Sequence, residues 1–180
     1  SNYNIYKSRW PWQKDGKRRQ MFRVKIECIT EENRKLLIPF IKENWHDIMM
    51  VIKGEQVDIS EEDGFCILDG QSVEAVVTYR MKNNICEITL LHTAKQQCGI
   101  GTRLVQEVIK AAREKGADTI TVVTTNDNIG AIAFYQKIGF DMEMLYRNSM
   151  DYVRKLKPTV PAIGDNNIPL RHEIEFAMHL

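Results

Sequence analysis

A chain of 180 residues with 43% hydrophobic and 27% charged residues is large enough for one folded unit with a real core. No apolar run approaches the roughly 18 residues that a membrane-spanning helix needs, and the start shows no signal-peptide pattern. Those two absences set aside a membrane partner and lead to the expectation of a cytoplasmic protein. The net charge of +1 hides an asymmetry, because residues 1–20 carry six Lys/Arg against the single Asp15. That stretch is expected to be a flexible basic extension, with one domain over 21–180. Nothing downstream continues the basic stripe, so nucleic acid is not expected as a partner. Cys28, Cys66, Cys86 and Cys98 lack any CxxC spacing, and three of them lie in apolar, strand-like runs. They read as reduced thiols rather than a disulfide framework or a zinc site, and no metal is expected.

In chain order, "FRVKIECI" (22–29) alternates apolar and polar residues and predicts a first strand. Thr30 followed by Glu31 and Glu32 predicts a capped helix start, and Pro39 predicts a kink or break within that helix. The stretch 46–64 reads as irregular and acidic. "FCILDGQSVEAVVTYRMKNNICEITLLHT" then predicts three strands joined by hairpin turns at Asp69-Gly70 and Asn83-Asn84. Leu104, Val105, Val108, Ala111 and Ala112 form one apolar stripe of a following helix, which Gly116 stops. "TITVVTT" is a β-branched strand covered on both faces, and "NDNIGAIAFYQKIG" is a second helix capped by Asp127 or Asn128. "FDMEMLY" and "EIEFAMHL" are the last strands, separated by a proline-containing loop over 147–172. The order predicts an α/β (α+β) fold: a central, mixed, twisted sheet of about six to seven strands flanked by helices on both faces.

Gly99 and Gly101 stand where a strand gives way to a helix, directly before "TRLVQEV". The first N–H groups of a helix lack intrahelical partners and carry partial positive charge, so a polyphosphate can satisfy them where no side chain blocks its approach. Thr102 adds a hydroxyl. A ligand-free tight turn would need the same glycines. The dinucleotide fingerprint fails because Leu104 fills its third glycine position, and a P-loop lysine is missing.

Two motifs together carry more than either alone. Gln96-Gln97-Cys98-Gly99-Ile100-Gly101 matches Q/R-x-x-G-x-G/A, and Asn128, Ala131, Phe134, Tyr135, Gly139 and Phe140 match N-x-x-A-x-x-F/L-Y-x-x-x-G-F. In these, the chain resembles the GNAT superfamily of acetyl-CoA-dependent N-acyltransferases, over roughly residues 22–145. The tail "RKLKPTVPAIGDNNIPLRHEIEF" is similar to that of a bacterial GNAT group without an assigned substrate. The sequence departs from the family in having Gln96-Gln97 where many members have Arg-Gly, which removes one charge near the phosphates.

The resemblance implies a set of roles. Acetyl-CoA is the acyl donor, and its pyrophosphate is held by Gln96, Gln97, Cys98, Gly99, Ile100, Gly101 and Thr102. The backbone of Leu91, His92 and Thr93 holds the pantetheine arm, and Asn128 contacts the cofactor. Tyr135 contacts the cofactor and acts as general acid at the sulfur. Glu87 is the candidate base, placed by strand alternation on the same face as Leu91, with His92 or a water as rivals. His46, His172 and His179 read as structural or surface residues. The acceptor is an amine of a small molecule or a protein, gripped by residues 30–63 and 147–175, and a homodimer is compatible with such a fold. A non-catalytic acetyl-CoA sensor on the same fold is the competing reading.

Overall fold

The computed structural model describes residues 25–94 and 99–180. Its main sheet has seven strands in the order β1 (Glu27–Cys28), β4 (Asp63–Asp69), β5 (Ser72–Lys82), β6 (Ile85–Thr93), β7 (Thr119–Thr125), β9 (Glu173–His179) and β8 (Asp141–Tyr146). Every neighbouring pair is antiparallel except β6 and β7, which run parallel with α2 (Ile100–Glu114) as their crossover. A separate two-stranded hairpin, β2 (Met49–Ile52) with β3 (Glu55–Asp58), accompanies it. The remaining helices are α1 (Glu31–Trp45), α3 (Ile129–Lys137) and α4 (Ser149–Leu156).

Helices cover the sheet on both faces. On one, Ile100, Leu104, Val105, Val108 and Ala112 of α2 and Tyr135 of α3 pack against Val77, Cys86, Ile88, Ile120, Val122 and Phe176. On the other, Leu37 and Ile41 of α1 and Ile52 and Val57 of the hairpin pack against Cys66, Val76 and Leu90. The apolar stripe read from 104–112 is therefore the face α2 buries.

Local chemistry sets the element ends. Thr30 Oγ1 accepts from Asn33 N at 3.3 Å and Asn33 Oδ1 accepts from Thr30 N at 2.8 Å, a capping box in which Asn replaces the usual Glu. Helix α1 then continues through Pro39 to Trp45, so of the expected kink or break, the break does not occur. Of the expected first strand, only Glu27–Cys28 pairs within the described residues, and 22–24 lie outside them. The stretch read as irregular contains the β2–β3 hairpin, whose turn places Lys53 and Gly54 at φ 51° and 78°. Such a turn favours Asn-Gly or Asp-Gly, and a lysine at its first position hid it from the sequence. Helix α4 likewise lies inside the segment read as a loop.

Gly64 pairs with Thr78 on the β4–β5 ladder. An added Cβ there would fall inside the van der Waals envelope of Val77 O and within 2.8 Å of Ile29 Cδ1. Backbone cannot step aside as a side chain can, so Gly64→Ala should cost about 2 kcal/mol or more, within the usual range for overpacking. Chemical denaturation measures it, and an unchanged midpoint would refute the clash.

The buried thiols give a second check. Cys66 and Cys86 have no exposed surface, and burial pushes their pKa values up to about 11 and about 12. Thiolate is the reactive form, so neither should react with maleimide at pH 8 in the folded chain, whereas the exposed Cys28 should. Peptide mass mapping before and after denaturation reads this directly. Labelling of Cys86 in the native state would contradict the packing.

Candidate active site

Strands β6 and β7 pair only from Ile85↔Thr119 to Ile88↔Val122. Beyond that rung β6 runs on to Thr93 and β7 to Thr125. Their outer edges stay paired, β6 with β5 as far as Ala75↔Thr93 and β7 with β9 as far as Thr125↔Glu173. The sheet is thus split between its two parallel strands, and among the described residues the inner backbone edge of 89–93 pairs with no strand across the split.

The cause is a β-bulge. Thr78 is opposite Leu90 and Tyr79 is opposite Ile88, so Thr89 is an extra residue on β6. Its hydroxyl meets that of Thr78 at 2.7 Å. A bulge bends the strand that carries it and shifts the side-chain alternation by one. Cys86, Ile88 and Leu91 accordingly enter the core cluster beneath α2, while Leu90 enters the cluster beneath α1. The expectation that Glu87 shares a face with Leu91 is corrected: Glu87 shares a face with Leu90 and His92. Uniform alternation failed because the sequence gives no sign of the extra residue.

Helix α2 begins beside the split. Gly99 is its N-cap at φ 71°, a left-handed conformation that favours glycine. Among the described residues no side chain caps this end, and its first turn carries no acidic residue. Arg103 N is the first amide to bond back, to Gly99 O at 3.2 Å, so the earlier amides are not used within the helix. Gly101 serves packing as well. A Cβ there would lie 3.3 Å from Phe134 Cζ and 3.9 Å from Thr93 Cγ2. The end of β6, the start of α2 and the aromatic face of α3 therefore converge at one point, bringing together Thr93, Gly101 and the Phe134-Tyr135 pair. Of the other predicted site residues, Leu91 and His92 line the split strand and Ile100 and Thr102 lie in the first turn of α2. Gln96, Gln97 and Cys98 lie outside the described residues.

Asn128 caps α3, its Oδ1 accepting from Ala131 N at 3.0 Å, which leaves its side-chain N–H groups for other partners. Tyr135 is buried among Phe134, Phe140 and Phe176, with ring centroids 5.2–5.8 Å away. Burial pushes its phenol well above the usual range, so it stays protonated at neutral pH. Asp127, next to Asn128 in the chain, accepts from Asp165 N at 2.8 Å, and Asn126 Oδ1 accepts from Arg171 N and His172 N. Those bonds tie the 147–172 segment to the turn between β7 and α3.

On the opposite face, His92 packs against Phe40 and Trp45 of α1, and its Nδ1 accepts from Trp45 Nε1 at 3.3 Å. An indole N–H can only donate, so the proton of the neutral ring stands on Nε2. Burial lowers the imidazole pKa and keeps the ring neutral near pH 7. With Nδ1 occupied and Nε2 protonated, His92 is set to donate rather than to accept.

Glu87 is 2% exposed and sits in an ion-pair network that sequence reasoning did not assemble. Arg80 Nε reaches its Oε2 at 2.7 Å, and Lys53 Nζ stands 2.9 Å from its Oε1. Lys53 Nζ also meets Glu175 Oε2 at 2.6 Å, and Tyr146 donates to that oxygen at 3.3 Å. Glu173 Oε1 accepts from Lys53 N at 3.3 Å, while Arg80 and Lys82 both pair with Glu55. Burial alone would lower the Lys53 pKa, but Glu175 and Glu87 overcome it and raise it. Lys53 is therefore held as an ammonium. The alternation of Glu173 and Glu175 with Ile174 and Phe176 was a legible sign of a carboxylate row on β9. Its meeting with Lys53 depends on the hairpin, which was not legible.

Residues 4–140 match the Acetyltransferase (GNAT) family. The chain is similar to an uncharacterised Bacillus subtilis (strain 168) protein, YxbD, at 37% identity over 142 residues, 78% of this chain and 89% of that one. Among solved structures, an IAA acetyltransferase from Bacillus cereus ATCC 14579 superposes with a TM-score of 0.64 at 22% identity, covering 87% of this chain and 99% of the other. A GNAT-family acetyltransferase from Elizabethkingia anophelis, solved with acetyl-CoA bound, gives 0.63 at 21% identity over 87% and 98%. Identities this low establish a shared fold.

Proposed function

The chain belongs to the Acetyltransferase (GNAT) family, and on that premise we propose that it moves an acetyl group from acetyl-CoA to a primary amine within a ternary complex. The observation that carries this reading is the split between β6 and β7, which opens beside the glycine-started end of α2. In this reading the amides of 99–102, together with Gln96, Gln97 and Cys98, hold the pyrophosphate. The backbone of Leu91, His92 and Thr93 holds the pantetheine arm along the split edge of β6, and Asn128 adds a side-chain donor.

The neutral amine attacks the thioester carbonyl, a C–N bond forms, and the C–S bond breaks. Tyr135 gives its phenolic proton to the departing thiolate, a task suited to a phenol that burial keeps protonated. The amine proton passes to Glu87 through water. Glu87 approaches the amine from the face opposite α2, and its Oε1 becomes available once Lys53 withdraws. A free aliphatic ammonium has a pKa near ~10, so a base or a desolvating pocket is required at neutral pH.

Calorimetric titration with acetyl-CoA, followed by thiol release across a panel of amines, tests the assignment. Binding with release on one amine class is expected. Binding without release on any amine would favour the sensor reading, and no binding would overturn the cofactor assignment. No helix among the described residues is long and apolar enough to cross a membrane.

A further inference from the structure

Lys53 is a chain ammonium seated between carboxylates of two different strands, on the acceptor side of the split. Resting on the acetyl-transfer reading above, we propose that this seat is the acceptor's own, and that the acceptor is an aliphatic diamine or polyamine. One of its ammonium groups replaces Lys53 at Glu175, while a second, neutral amine lies at Glu87 beside the split.

Four observations carry this. The cradle demonstrably fits an ammonium, since one nitrogen reaches Glu175 Oε2 at 2.6 Å and Glu87 Oε1 at 2.9 Å. Carboxyl groups crowd the seat: among the described residues Glu55, Glu87 and Glu175 pair with Lys53, Arg80 and Lys82, and Glu173, whose pKa burial raises, adds a fourth carboxyl group that accepts from the Lys53 backbone N–H. Thr121, opposite Glu87 in register and 6% exposed, has a hydroxyl with no hydrogen-bond partner among the described residues. A buried hydroxyl without a partner is costly unless something else fills that role, and a second amine on this face would supply it.

The fourth observation is position. Glu87 stands one rung before the last paired rung of β6 and β7, so the cradle is roughly 3–7 Å from where the strands part. A single amine can serve the anchor or the split, whereas two amines joined by a short aliphatic chain can serve both. The Lys53 side chain can yield while its backbone N–H keeps its bond to Glu173. It sits at the tip of a hairpin that is not part of the seven-stranded sheet, so its withdrawal breaks no ladder there. The hairpin tip thus fills the seat when the acceptor is absent, which keeps Glu87 and Glu175 compensated.

The test uses the full chain with acetyl-CoA. Thiol release should be at least about tenfold higher in kcat/KM for 1,4-diaminobutane or spermidine than for butylamine. Calorimetric titration of the CoA-bound chain with spermidine should show affinity weakened about tenfold by Glu175→Gln and strengthened severalfold by Lys53→Met. Should Lys53→Met fail to fold, the decision rests on Glu175→Gln, with Lys53→Arg, which keeps the competing cation, expected to match the native chain. Diamines no better than butylamine, or spermidine affinity indifferent to Glu175→Gln, would overturn the proposal. Acetyl-CoA is titrated first. If it does not bind, the transferase reading fails, and if it binds without diamine preference, only the cradle fails.

Discussion

Replacing Tyr135 by Phe should lower kcat about a hundredfold while leaving acetyl-CoA affinity and the melting temperature nearly unchanged. Proton donation by a placed side chain contributes about 10²–10⁴-fold, and the lower end applies because water can reach a thiolate in an open split. The ring is what packs. Tyr135 is wedged among Phe134, Phe140 and Phe176, and Phe fills the same volume with the same ring contacts, edge-to-face to Phe134 and Phe140 and tilted to Phe176. Removing the oxygen therefore separates chemistry from packing, which Tyr135→Ala would not. Thiol release under saturating acetyl-CoA and amine reads kcat, and a thermal melt reads the fold. A kcat within about twofold of the native value would remove Tyr135 as the acid and leave it as a core aromatic.

What the sequence disclosed about this site divides along a physical line. Features encoded by neighbours in the chain were legible: the glycine-started helix at 99–101, the cap at Asp127 or Asn128, which falls on Asn128, the apolar stripe of α2 and the turns at Gly70 and Asn83. Each depends on a residue type that only a few local conformations tolerate. The β6–β7 split could not be read from the residues, because parting of strands leaves no mark on either strand alone. The Thr89 bulge was not expected at all. It is a property of the pairing between β5 and β6, and either strand read singly keeps a regular alternation. That one residue put Leu91 on the α2 face and left Glu87 on the face of α1 and the hairpin. The hairpin at 49–58 was hidden by four-residue strands and a Lys-Gly turn, and with it went the partner of Glu87. Long-range ion pairs between Lys53 and Glu175 join residues 122 positions apart, beyond any local pattern.

The same network sets the largest stability effect expected for a single conservative change. Glu87→Gln should destabilise the fold by roughly 3 kcal/mol, the lower part of the range for removing one partner of a buried pair. The lower part applies because the stranded cations keep other partners, Arg80 with Glu55 and Lys53 with Glu175. For a chain of this length about 3 kcal/mol corresponds to a fall of about 6–12 °C in Tm. The amide can accept one hydrogen bond but carries no charge, so two cations are left facing a neutral group in a buried place. Replacing Lys53, Glu87 and Glu175 together by Met, Leu and Met should recover much of the loss, since Arg80 keeps Glu55 and swapping a buried ionic cluster for apolar groups of similar volume is often neutral or better. Denaturant unfolding of the single and triple variants measures both, and a triple variant as unstable as Glu87→Gln would show that packing rather than charge compensation governs the site. The catalytic reading adds a further requirement. Glu87→Gln should lower kcat well beyond any loss of folded protein, while the triple variant, stable but without the carboxylate, should stay equally slow. Recovery of turnover in the triple variant would show that Glu87 holds the hairpin and takes no proton.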